Sequence, residues 1–325
     1  MQPAYRQTGR MFVVGMLALA CATLGSAQQT SPDGYRPQSA INGVPVITMP
    51  WLEDAIATLD ALPEAPVVKP RRERRVLIFC RATGYAHSVI PLATFAVQKM
   101  GERTGAFRAE VSYDLKDISA ANLARFDAIV LNNTTGAFLD DDDANATAAR
   151  RAALLDFVRR GHGLVLLHAA TAAYRDAKTT WPDYTRMTGG LFKWHWLYPQ
   201  QVTVKFDDPR NPINAAFGGR AFTIHDEIYT FAMNSFSRSD THVLMTMDYG
   251  AMSPADRDKE PAATRRTDKD YPLGWVRREG RGRVFYEALG HSEHIYAMPA
   301  MLRHMLAGIQ YATGDLSVDD RPSRR

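Results

Sequence analysis

Apolar and polar positions along the chain alternate between two periods. "RVLIFC" opens at Arg75 as a short continuous apolar run bounded by charge and by "ATG", the pattern of a parallel strand covered on both faces. Val89, Leu92, Ala93, Ala96, Val97 and Met100 then recur at three- and four-residue spacing, which predicts a helix stopped by Gly101 and Gly105. "FRAEVSY" and "DAIVLNN" read as strands. "DDDDANATAARRAALLDFVRRGHG" reads as a helix whose acidic start and basic end complement its dipole. "GLVLLH" (Gly163 to His168) is the next buried strand.

Beyond Tyr174 the pattern loosens through the aromatic "WPDYTRMTGGLFKWHW". "QQVTVKF", "FTIHDEIYTF" and "HVLMTM" then show strand-like, period-two character. A hairpin is expected around Glu279 to Gly282, and a final helix carries Met298, Met301, Leu302, Met305, Leu306 and Ile309 on one face. Strands alternating with helices predict an α/β fold: a three-layer α/β/α sandwich with a mainly parallel sheet and antiparallel strands added on one edge. With no clean internal boundary, one domain over residues 75–314 is expected.

The two ends differ from this middle. Arg6 and Arg10 precede the apolar run "MFVVGMLALA", and "GSAQQ" offers Gly25 and Ala27 at the spacing a signal peptidase prefers. Residues 1–27 therefore read as a secretory signal peptide, cleaved near Ala27, which makes the protein secreted or periplasmic. Bulky Leu19 argues against lipoprotein anchoring at Cys21. Residues 28–74, rich in Pro, Ser and Gln, read as an export linker able to pack on the domain, with one short helix in "WLEDAIATLDAL"; residues 315–325 read as a basic tail. The basic runs "RRERR" and "RPSRR" read as solvated charge.

The chain has 325 residues and a formal net charge of +4, too small over this length to argue for nucleic acid. No further segment approaches the ~20 apolar residues of a membrane span. Of two cysteines, Cys21 leaves with the leader, so Cys80 reads as a buried structural thiol without a disulfide partner. "GRGR" and "TGG" lack the strand–glycine–helix setting of phosphate loops, so no nucleotide cofactor is expected. No G-x-S-x-G is present to supply a nucleophile elbow.

Candidate chemistry gathers at the ends of the predicted strands. His87 follows the first strand, His168 ends "GLVLLH", His195 lies in "KWHW", and His291 ends "YEALGH". Carboxyl ends of parallel strands meet on one edge of a sheet, so His87 and His168 are expected to converge. Such histidines, with a carboxylate, suit either acid–base catalysis or a divalent ion such as zinc or manganese, with His87, His168 and His291 as ligands. Asp226 and Glu227 are neighbours in a strand and should point to opposite faces. Trp181, Tyr184, Phe192, Trp194, Trp196, Tyr229 and Trp275 surround these positions; their faces suit sugar rings or the packing of a core.

From about Arg75 to Gly314 the chain resembles the ThuA-like, trehalose-utilisation family, whose fold is similar to class I glutamine amidotransferases. "GYAH", "LNNTTG", "GLVLLHAA", "GGLFKWH", "DEIYTF", "PLGWV" and "GRVFYEALGH" carry the resemblance by their order and spacing. It implies a flavodoxin-like sandwich and a link to disaccharides and their 3-keto derivatives. It also implies that His87, His168, His195, Glu227 and His291 surround the family's pocket, with Glu227 turned inward. In amidotransferases the matching strand leads to a nucleophilic cysteine; "HAATAAY" has none, so glutaminase activity is not expected. The expectation is an exported keto-sugar or glycoside isomerase, lyase or hydrolase. His168, Glu227 and His87 would be catalytic, with His195, Trp194, Tyr229 and Trp275 on a small carbohydrate. The alternative is a sugar-binding accessory protein without catalysis.

Overall fold

In a computed structural model, residues 50–323 are described, together with a two-residue strand pair, β1 (Ala40–Ile41) and β2 (Val44–Pro45). The leader expected over residues 1–27 lies outside the described residues.

Helix α1 (Leu52–Ala61) precedes strand β3 (Arg75–Phe79), helix α2 (Ile90–Thr104) and strand β4 (Arg108–Ser112). The short helix α3 (Ala120–Leu123), strand β5 (Ala128–Asn132), helix α4 (Ala144–Arg159) and strand β6 (Gly163–Leu167) complete the alternating half. Helix α5 (Pro182–Thr188), strands β7 (Phe192–Phe206), β8 (Phe222–Phe231) and β9 (His242–Met247), and helix α6 (Pro254–Arg257) follow. The hairpin β10 (Pro272–Glu279) and β11 (Gly282–Glu287) and helix α7 (Pro299–Ala312) end the chain's regular structure.

These form one nine-stranded sheet in the order β4-β3-β5-β6-β11-β10-β9-β7-β8. Strands β4, β3, β5, β6 and β11 are mutually parallel, and the remaining pairings are antiparallel. Every residue of β5 and β6 is buried, as strands covered by helices on both faces require. Helices α1, α2 and α7 pack together as one layer, and α3, α4 and α5 as the other. Close approach of α7 depends on Gly308: a β-carbon there would lie 2.2 Å from the Phe285 ring of β11.

Three expectations are corrected. Gly101 does not end α2; it lies inside the helix, where a side chain would strike Phe107, and Gly105 in the left-handed conformation caps it. The aromatic stretch "FKWHW" is regular: it forms the first part of the long strand β7, sustained by pairing with β8. Of the basic runs expected as solvated charge, Arg71, Arg72 and Arg321 are exposed, and Arg74 is the exception. Val67 and Val68 donate to Gln310 Oε1, and the buried Arg74 pairs with Asp127 and Asp315. At the other end, the Ser323 amide donates to the Thr241 carbonyl, and Asp320 accepts from Tyr311 and Arg278. Residues on either side of the domain thus staple its α7 and β9–β10 regions. Among the described residues, no helix is long and apolar enough to cross a membrane.

Candidate active site

The sheet topology decides which side chains meet. Because β3, β6 and β11 are parallel, His87, His168 and His291 all follow carboxyl ends on the same sheet edge. The direction of β11, fixed by its pairing with β6, is what places His291 there. The three imidazole rings form a near-equilateral triangle, with centroids 5.2 Å apart for His87–His168 and 5.4 Å for the pairs with His291.

Glu227 enters from β8 and ties the cluster together. Its Oε2 lies 3.2 Å from His168 Nε2, and its Oε1 contacts His195 Nδ1 and lies 4.0 Å from His291 Nε2. His195 is paired with Tyr229 in the β7–β8 ladder, and a register shift between Trp196 and Gln200 opens the strand beside Glu227. The carboxylate is 5% exposed, while the His195 side chain keeps 31%. Asp226, one residue earlier, is fully buried and turns to the backbone of residues 290–292 instead.

His168 sits at a strained turn. Its φ is +41°, a left-handed conformation that costs a side-chain-bearing residue roughly 1–2 kcal/mol. Side-chain contacts hold it there: Tyr286 Oη donates to the His168 carbonyl at 3.0 Å, and His168 Nδ1 lies 2.6 Å from the Ala288 carbonyl. A carbonyl only accepts, so Nδ1 carries the proton and Nε2 is the atom turned to Glu227.

Burial and charge set the ionisation. Burial drives the His87 imidazole well below its ordinary range, and the neighbouring His168 and His291 push it further, so it is neutral. Burial opposes charge on His168 too, but the hydrogen bond and charge of Glu227 outweigh it and raise its pKa. Burial likewise opposes charge on Glu227, yet hydrogen bonds from His168 and His195 hold it well below the usual carboxylate range. The centre is thus a neutral imidazole beside a buried histidine–carboxylate pair in which each partner favours the charged form of the other.

His87 and Glu227 of this centre face a cavity of about 700 Å³, within the usual size of small-molecule sites, with His168 buried behind them. His87, His195, Glu227 and Tyr229 line it from below, with Thr135, Arg175 and Phe192 on the walls. Tyr85 and Leu197 stand at its mouth, 51% and 59% exposed. The Arg175 guanidinium lies over the Phe192 ring at 5.0 Å. Another cleft, of about 570 Å³ near Lys205, Asp207, Arg238 and Asp270, is lined by charges that largely pair with one another.

Two of the expected sugar contacts fall elsewhere. Trp275 is completely buried against Phe231, Phe236 and Tyr286, and its indole N–H donates to the Thr188 carbonyl, so it packs the core. Trp194 is half-buried against Trp196 and does not line the cavity: strand alternation sends it to the face opposite His195. Tyr229 and His195 do line it. Cys80 is buried, bonded to Thr94 and Asn132, and burial pushes its thiol up to about 11, so it is no nucleophile.

A divalent ion has a donor set here. One ligand atom each from His87, His168 and Glu227 lie within 4.8 Å of one another. His168 has the outer partner typical of metal-bound histidine, an N–H given to a backbone carbonyl. The compact group contains Glu227 where the sequence suggested His291. Tyr85, Arg175 and Leu197 were not singled out by sequence. Tyr85 had a signal, since it lies within "GYAH", while the other two enter through loop and bulge geometry.

Comparisons with known proteins agree with this architecture. The family described as ThuA, trehalose utilisation, matches residues 75–312. A ThuA-like protein from Bacteroides uniformis is 21% identical in sequence, with a TM-score of 0.54 over 77% of this chain and 93% of its own. A ThuA-like protein from Parabacteroides merdae is 16% identical, with a TM-score of 0.52 over 76% and 92%. At these identities the two structures share the fold. No curated protein matches the chain.

Proposed function

The chain belongs to the ThuA family, and from that premise we propose that it is an exported carbohydrate-processing enzyme performing acid–base chemistry on a glycoside or 3-keto-sugar. The observation that carries this reading is the neutral His87 beside the buried His168–Glu227 pair on the floor of a sugar-sized cavity. A structural histidine has no need of three further imidazoles around one buried carboxylate. The leader read in residues 1–27 supports export.

The chemistry follows from the state of each group. A ketone at carbon 3 of a sugar ring acidifies the hydrogen on carbon 2. His87, held neutral and open to the cavity, accepts that proton as general base. The electron pair left behind forms an enolate, and the Arg175 guanidinium on the cavity wall offsets the developing charge, while His168 holds the Glu227 carboxylate in place. Collapse of the enolate makes the carbon 1–carbon 2 double bond and breaks the glycosidic carbon–oxygen bond. The departing oxygen takes a proton through His195, the most exposed of the clustered imidazoles. Addition of water to the enone then completes a net hydrolysis. Zinc or manganese, held by His87, His168 and Glu227, would supply Lewis-acid polarisation of the substrate oxygens. In that state proton transfer rests with His195.

Tyr85 and Phe192 offer ring faces, and Arg175 and Thr135 offer donors, to the two sides of a sugar. The test is incubation of the purified protein with a 3-keto-disaccharide, followed by NMR, for wild type and for Glu227→Gln and His168→Ala. Turnover by wild type and its loss in both variants is expected; wild-type rates in the variants refute the assignment.

A further inference from the structure

Glu227 has an equally buried neighbour on β8 that the chemistry above does not use. Asp226 is 0% exposed, and its carboxylate lies against three consecutive backbone amides. Oδ2 accepts from Gly290 N at 2.7 Å and from His291 N at 3.4 Å. Oδ1 accepts from Ser292 N at 3.1 Å and from Ser292 Oγ at 2.8 Å. Successive amides turned to one point form a nest, a concavity built for an anion. Here the anion is the protein's own side chain.

The turn is shaped for this occupant. Gly290 has φ +132°, which a residue with a β-carbon rarely adopts, and a β-carbon there would meet Tyr296 Oη at 2.9 Å. The preceding residues are equally tied. The Ala288 amide donates to the Leu273 carbonyl at 2.8 Å, and Leu289 N donates to Glu287 Oε1 at 2.9 Å. Glu287 Oε2 in turn lies 3.0 Å from His304 Nε2 on α7. Every backbone N–H from 288 to 292 therefore has an acceptor. This loop delivers two parts of the centre: the His291 imidazole, and the Ala288 carbonyl that accepts the hydrogen bond from His168 Nδ1–H.

We infer that Asp226 is a positioning residue: by filling the 290–292 nest it sets His291 and the Ala288 carbonyl, and through that carbonyl the orientation of His168. Adjacent residues of one strand thus divide the work, Glu227 in the cluster and Asp226 in its scaffold. A hydrophobic anchor would hold β8 against the loop equally well, but it would not aim three N–H groups. The inference rests on the imidazole cluster being the reacting centre; its physical readout does not require turnover.

Asp226→Ala empties the nest and leaves room for a small carboxylate, so formate is the probe. Histidine side-chain ¹H–¹⁵N resonances are recorded for wild type and variant, with and without formate. The expected result is displaced His168 and His291 ring resonances in Asp226→Ala, their return toward wild-type positions as formate saturates, and no formate effect on wild type. Where the wild type turns over a 3-keto-disaccharide, the variant should lose roughly 10–100-fold in kcat, the usual scale for an outer-shell partner, with KM nearly unchanged and formate restoring the rate. Unmoved ring resonances, or a folded variant that saturating formate leaves uncorrected, overturn the inference. If Asp226→Ala does not fold, Gly290→Ala decides. It disturbs the nest with Asp226 intact and must displace the same two ring resonances; failure to do so overturns the proposal. Absence of wild-type turnover together with formate-reversible resonance shifts would count against the proposed reaction and leave the positioning role standing.

Discussion

Glu227→Gln is the most informative single change, because it alters charge at nearly constant shape. The carboxylate accepts from His168 and contacts His195, while glutamine offers one acceptor and one donor. At most one imidazole keeps an acceptor. Hydrogen bonds to charged groups contribute about 1.5–3 kcal/mol each, so losing one and weakening the other costs about 2–4 kcal/mol. For a domain of this size each kcal/mol lowers Tm by roughly 2–4 °C, which predicts a drop of about 5–15 °C. The pH profile carries the signature. His168 is raised in the folded protein, so its contribution is complete below its unfolded value and is lost as pH rises through the folded one. Glu227 is depressed, so its contribution is present above its unfolded value and lost as pH falls through the folded one. The stability gap between wild type and Glu227→Gln is therefore widest between these limits and closes toward alkaline and strongly acidic pH. Calorimetry of both proteins across pH, after dialysis against a chelator, measures it. A gap that is absent, or that does not vary with pH, refutes the charged-pair argument.

Other changes separate the cavity from the core. Tyr85→Ala, at the exposed mouth, should raise the dissociation constant of a bound sugar by roughly 2–13-fold, the ~0.5–1.5 kcal/mol scale of an aromatic contact, with Tm nearly unchanged; titration and scanning calorimetry read the two. Trp275→Phe should lower stability by about 1–3 kcal/mol in urea unfolding, through its lost bond to Thr188 and lost volume, without selectively weakening sugar binding. Gly308→Ala should also cost about 1–3 kcal/mol by forcing α7 away from Phe285, and wild-type unfolding midpoints would contradict that packing.

Much of the centre is readable before folding, for a specific reason. His87 and His168 follow short apolar runs, and parallel strands carry their carboxyl ends to one edge, so their meeting follows from topology. His291 needed the direction of β11, which depends on its pairing with a strand about 120 residues earlier in the chain. The contact of Glu227 with His195 depends on the β7–β8 register and its interruption, which periodicity does not encode. Trp275 and Trp194 were misplaced because an aromatic near a motif reads alike whichever face it takes. Arg74 and Asp315, 241 residues apart, form a buried pair that neither basic run nor tail composition reveals.

The proposed acid–base step is tested most directly by incubating the protein with a 3-keto-disaccharide in deuterated water and following the hydrogen on carbon 2 by proton NMR. This signal should disappear as free sugar is released, the product should carry deuterium at carbon 2, and His87→Ala should slow the exchange by roughly the 10²–10⁴ of general acid–base catalysis. Sugar released with the original hydrogen still at carbon 2, or no release at all, would contradict it.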